Sequence, residues 1–194
     1  MSLVSLGKSR RLAKEHLRDV FRDYFSTFIT AAKAGSSLTP APKMLVPSEE
    51  SVYLTDMDQP DALPRNEHSF VYIFEDGPRT IDRTNSGGNS SIKKQTEQDF
   101  KILVVFRYSL EDGLVDPDGV TPQPDEIMIH KCDLYLEAVV DMLYTHGRSP
   151  GAIHDIELID DQQFPLYEDG FPILGVCAMT WRVTQMASVP QSIC

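Results

Sequence analysis

Residues 170–185, GFPILGVCAMTWRVTQ, constrain the fold more than any other stretch of the chain. Gly170 and Pro172 read as a turn feeding a long strand. Ile173, Cys177, Met179, Trp181 and Val183 fall on one face, and Gly175 leaves a gap in it. Leu174, Val176 and Ala178 fall on the other, which turns polar at Thr180, Arg182 and Thr184. Alternation rich in β-branched and aromatic residues is a strand signal. The first half is apolar on both faces, which places it centrally in a sheet. It also holds the only tryptophan, so the core is expected to be built on this strand.

Three further segments can supply that sheet. Residues 68–75 put Phe70, Tyr72 and Phe74 on one face. Residues 100–108 put Phe100, Ile102, Val104, Phe106 and Tyr108 on one face, with Lys101, Leu103, Val105 and Arg107 on the other. Consecutive strands usually pair, so these two predict a hairpin. Residues 152–160, AIHDIELID, predict a strand that forms a second hairpin with the opening stretch. The 77–98 connection of the first hairpin is polar, holds Gly87–Gly88 and bears Arg79, Arg83, Lys93 and Lys94. It lacks the glycine spacing and following helix of a phosphate loop. It reads as a flexible tip that projects from the body and orders against a partner.

Two helices are expected. Ser9 can cap one that runs to about Lys33 and stops at Gly35. Leu17, Val20, Phe21, Tyr24, Phe25, Phe28, Ile29 and Ala32 recur at three- and four-residue spacing on it, and Arg10, Arg11, Lys14, Arg18 and Arg22 populate the opposite side. The second runs over 124–146, started by Pro124 or Asp125 and stopped by Gly147, and should lie across the sheet. Between the first helix and the first strand, residues 35–64 carry five prolines. Short extended pieces at 43–46 and 51–55 are expected to pair at a sheet edge or to reach a neighbour as an arm. The order predicts an α+β fold: an antiparallel sheet of about four strands, as two hairpins, with two helices packed on one face. Residues 1–65 form the helix and arm and 66–194 the body, one structural domain overall. The second sheet face stays partly apolar, which suggests contact with another chain or with the arm.

Composition narrows the function classes. The chain of 194 residues has a net charge of −11. Up to Lys43 there are eight basic and three acidic residues, a balance of +5, which leaves −16 for the rest. A basic helix on an acidic body suggests contact with an acidic surface, a neighbouring copy included; the plain alternative is a solvated helix face. An acidic body disfavours sequence-specific DNA binding, since phosphate contacts dominate that affinity. No apolar run reaches the roughly 20 residues of a membrane helix. Cys132, Cys177 and Cys194 are odd in number and widely spaced, which predicts reduced thiols rather than disulfides or a zinc site.

Motifs for chemistry are missing. Asp56, Asp58 and Asp61 have no matched ligand spacing and read as a solvated acidic loop, as does Asp116-x-Asp118-Gly119. His146 and His154, near Asp155, Asp160 and Asp161, could form a metal or acid–base site, but no nucleophile or HExxH spacing accompanies them. No catalytic residue, cofactor or metal is therefore expected. A small metal-dependent enzyme using His146, His154, Asp155 and Asp160 is kept as a minor alternative.

The second half, from Phe100 to Thr184, resembles the tail terminator proteins of long-tailed bacteriophages: a hairpin with an extended tip, one helix across the sheet, and a closing hairpin whose last strand reads ILGVCAMTWRV. The resemblance implies a structural virion protein of the tail and neck, assembled in the host cytoplasm. It would form a ring, by family habit a hexamer, that caps the tail tube, ends its polymerisation and meets the head connector or stopper and sheath proteins. A head–tail connector or adaptor of the same neck is the alternative. Arg10, Arg11, Arg18, Arg79, Arg83, Lys93 and Lys94 are the expected partner or subunit contacts. No sequence-specific nucleic acid and no membrane is implied, although DNA would pass through the lumen, whose wall the acidic body is expected to form.

Overall fold

The computed structural model describes residues 6–54, 69–82, 91–109, 111 and 113–190. The strand expected after Gly170 is there and is longer than expected. It is β6, Phe171–Pro190. The sheet that contains it has six strands: β1 (Val52–Leu54), β2 (Phe70–Asp82), β3 (Ser91–Arg107), β4 (Asp155–Gln163), β5 (Leu166–Glu168) and β6. The order is β1-β2-β3-β6-β4, with β5 also beside β6. Both expected hairpins are present, since β2 pairs antiparallel with β3 and β4 antiparallel with β6. The expectation of an all-antiparallel sheet of about four strands is corrected in two respects. The arm piece at 52–54 becomes a parallel edge strand on β2, with Tyr53 opposite Tyr72, so the sheet is mixed. A short β5 is inserted before β6, with Glu168 opposite Phe171. The α+β class stands.

Both helices pack on one face. α1 spans Leu6–Ala34 and α2 spans Pro124–His146. α2 has the bounds its sequence signals give: Gln123 and Glu126 form a capping box, Pro124 opens the helix, and the Gly147 N–H donates to Leu143 O. α1 begins before Ser9, so Ser9 is not its cap; Ser9 is buried, and its carbonyl accepts from Gln185 Nε2 at 2.6 Å. One core runs from α1 (Leu17, Phe21, Phe25, Ile29) through α2 (Tyr135, Val139, Met142) to β2, β3 and β6 (Ile73, Phe100, Ile102, Trp181). Met44 and Val52 of residues 1–65 lie in that same core. Trp181 faces α2, its ring edge-on to Tyr144 at 5.4 Å, and pairs in register with Phe100 and Leu158.

The gap at Gly175 is filled by Phe106. A Cβ there would come within 2.3 Å of the Phe106 ring and 2.8 Å of Met128 Sδ. The glycine lets that ring close on β6 and still meet Tyr135 at 4.5 Å.

Candidate interaction surfaces

The basic side of α1 is partly consumed by its own fold. Glu75 points from β2 toward α1, and its carboxylate, 8 % exposed, pairs with Arg10 and with Lys14, the latter at 3.0 Å. Arg10 is thus an internal anchor as well as a surface cation. Arg11 pairs with Glu15 one turn on, and Arg18 with its neighbour Asp19 at 3.1 Å. Exposed pairs of this kind contribute little to stability and can exchange partners. Arg11 and Arg22 remain exposed on the helix surface.

The 77–98 connection is mostly strand, not a loop. β2 continues to Asp82 and β3 starts at Ser91, with an irregularity between Asp76 and Thr80. β6 follows β3 outward as far as Ser91 opposite Pro190. The three strands form an arm in place of the expected flexible tip. At about 3.3 Å per residue the 17 residues of β3 span about 56 Å. Polar residues at alternate positions hid these strands, because a two-sided polar ribbon lacks the apolar period. Thr96, Gln98 and Gln185, all buried, occupy its helix-side face; Gln185 Nε2 donates to both Ser9 O and Ala152 O. Arg79 lies on β2, and Lys93 and Lys94 lie on β3 opposite Ser188 and Ala187. Arg83 falls outside the described residues, as do Asp56, Asp58, Asp61 and Cys194.

The proline-rich segment after α1 docks on its own body rather than reaching away through residue 54. Thr39 and Val115 exchange backbone hydrogen bonds. The Tyr135 hydroxyl accepts from Leu45 N at 2.7 Å and donates to Leu45 O at 2.6 Å, and Ser69 Oγ donates to the same carbonyl. Burial pushes the Tyr135 phenol well above its ordinary value. Ser36 bonds His130 at 2.8 Å, and burial holds that imidazole below its usual pKa. The Lys43 N–H donates to Glu111, whose other carboxylate oxygen takes Lys131. Lys131 is fully buried on α2, and desolvation lowers its pKa against the pull of Glu111.

Opposite the helices, the sheet has an apolar end and a charged end. Tyr72, Val105 and Leu174 are buried there, with Phe70, Phe74, Leu103 and Val176 packed around them. Tyr53 stacks on Phe70 and Tyr72 at 5.9 and 5.3 Å, so the arm's strand covers part of this face. Farther out Arg182 clasps Asp99 through Nε and Nη2 at 2.9 and 3.1 Å.

One exposed apolar feature was not expected. β5 and β6 form a tight hairpin whose two-residue turn, Asp169–Gly170, has φ of 50° and 81°. Positive φ at both positions is the geometry favoured for two-residue hairpins. Around it Phe164, Leu166, Tyr167, Phe171 and Ile173 are all exposed, Phe171 at 63 %. Burying such side chains is favourable, so a cluster of them on and beside one hairpin is a candidate for contact with another surface. The Asp-Gly pair between aromatic-rich runs was the signal for it.

The histidine–carboxylate set is not gathered into a site. The His146 ring stacks on Tyr24 at 3.9 Å and meets Phe28 edge-on, between the two helices. His154 is exposed, and Asp155 pairs with Arg148 at 2.6 Å. Among the described residues no three His, Cys, Asp or Glu side chains converge to hold a metal ion. Cys132 and Cys177 are free thiols, both buried. No helix among the described residues is long and apolar enough to cross a membrane. The fold is that of an α+β protein with a mixed six-stranded sheet and two helices on one face. Comparison with protein-family models and with curated proteins finds no match for the chain.

Proposed function

We propose that this chain is a structural protein of a phage tail and neck, which assembles as a ring, caps the tail tube, ends its polymerisation and joins it to the head connector. The observation that carries this reading is the three-stranded arm together with the exposed β5–β6 hairpin. A chain that works alone gains nothing from a long polar ribbon and an uncovered apolar hairpin, whereas a subunit buries both against neighbours. The order of a hairpin, one helix across the sheet and a closing hairpin supports it, as does the terminal strand that resembles the terminator family. The acidic balance of residues 44–194 suits a wall along which DNA slides without being captured.

Purified protein mixed with tail tubes and imaged by negative-stain electron microscopy tests the proposal. Six-fold rings seated on tube ends are the expected result. Binding along tube sides, or no binding to tubes, counts against a capping role. Rings that bind the head connector but leave tube length unchanged would instead favour the adaptor role.

A further inference from the structure

The two helices, side by side on one face of the sheet, carry opposite net charge. α1 lies on the β2 side, where Arg10 and Lys14 reach Glu75, and it contributes seven Lys and Arg against three Asp and Glu. α2 lies on the β4 side, where the Tyr144 hydroxyl accepts from Leu158 N at 3.4 Å. Residues 124–173, which hold α2, β4 and β5, carry eleven Asp and Glu against two Lys and Arg. One of those two cations, Lys131, is buried on Glu111. Between Arg148 and Arg182 there is no Lys or Arg at all. The exposed β5–β6 hairpin belongs to this acidic side, with Glu168 ending β5, Asp169 on its turn and Asp125 beside Tyr167.

We propose that a second copy of this chain docks on that hairpin, laying the outer face of its α1 across Phe171 and Ile173, which share a face with Glu168, with Arg11 and Arg22 toward the carboxylates. The inference rests on the ring reading above and names the contact that would build the ring. Charge selects the occupant. Pairing two hairpins about a two-fold axis would set carboxylates against carboxylates, which is costly. Setting the basic side of one copy on the acidic side of the next satisfies both, and repeated head-to-tail contact is the arrangement that closes into a ring. The apolar side chains supply the buried centre, and the charges supply orientation. The surface pairs Arg11–Glu15 and Arg18–Asp19 are weak enough to yield to a partner's carboxylates.

Two double variants test it in sedimentation velocity runs at low ionic strength. In Phe171→Ser with Ile173→Ser that face of the hairpin is stripped while α1 is intact. In Arg11→Glu with Arg22→Glu the helix face is reversed while the hairpin is intact. Each alone should lose at least about tenfold in self-association, because central aromatic and arginine contacts dominate interface energies. Mixed together, they should form one-to-one dimers and nothing larger, since only one competent surface remains on each chain. A hairpin variant that assembles like wild type, or a mixture that stays monomeric, overturns the inference. Rings from wild type and from the hairpin variant alike would defeat this contact and leave the ring reading standing. Wild type that is monomeric both in solution and on tail tubes defeats the ring reading and the inference with it. If the hairpin double variant melts at a lower temperature, the exposed Glu168→Lys change carries the same test.

Discussion

At the scale of single residues the core turns on Trp181 and Gly175. Trp181 is completely buried, and its Nε1 has no hydrogen-bond partner among the described residues. The ring therefore contributes through area and through its edge contact with Tyr144, not through its donor. Trp181→Ala should cost roughly 3–5 kcal/mol, as removal of large buried aromatics does. Trp181→Phe should cost much less, because it leaves no buried donor unpaired. Paired thermal melts check this; an alanine variant as stable as wild type would show that the core does not depend on the ring. Gly175→Ala is the opposite error, one methyl too many. Its Cβ would collide with the Phe106 ring, which is held in turn by Tyr135. Overpacking of this kind costs roughly 1–3 kcal/mol. Pairing it with Phe106→Leu should recover part of the loss, and a strictly additive double variant would contradict the assignment of Phe106 as the obstacle.

At the scale of elements, the clamp on Leu45 decides where the arm lies. The Tyr135 hydroxyl satisfies both backbone groups of Leu45. Tyr135→Phe leaves the N–H without that acceptor, at a cost of about 1–3 kcal/mol. Amide hydrogen exchange at residues 43–46 should quicken in this variant while β3 and β6 stay protected; unchanged exchange would mean the clamp is dispensable. Elements that bury an apolar stripe were legible in the sequence. α2 could be bounded to the residue because Pro124, the Glu126 of its capping box and Gly147 all act locally. The inner parts of β2, β3 and β6 could be read from alternation. What could not be read depends on contacts distant in sequence. β1 is three residues long and owes its existence to pairing with Val71–Ile73. The outer arm owes its strands to the β2, β3 and β6 ladders rather than to its own polar residues. Likewise Arg10 belongs to the expected contact surface by sequence, yet it pairs with Glu75, 65 positions away, because the helix axis happens to bring it there. The Asp169–Gly170 hairpin is different, since its signal is local but overlaps the turn signal of Gly170 and Pro172.

At the scale of the molecule, the proposed ring could use either the three-stranded arm or the α1 face to join one copy to another, and charge reversal can tell them apart. Lys93 and Lys94 lie where β3 pairs with β6, opposite Ser188 and Ala187. Ladder hydrogen bonds come from the backbone, so Lys93→Glu with Lys94→Glu should leave the melting temperature within a few degrees of wild type. It takes the net charge from −11 to −15 and reverses the arm's sign. An arm that rests on the acidic side of another subunit would then be repelled. Assembly should weaken and, unlike that of wild type, should recover as salt screens the new repulsion over a Debye length of about 10 Å at 0.1 M. Sedimentation across a salt series reads both effects. Assembly equal to wild type at low salt would remove the arm from the contact and leave the α1 face and the β5–β6 hairpin to carry it. Weaker assembly that ignores salt would mean the substitutions act on the arm's shape rather than its charge. A melt of the same samples separates that case, because a distorted ribbon opens Thr96, Gln98 and Gln185 to water and lowers stability, whereas a repelled but intact one does not.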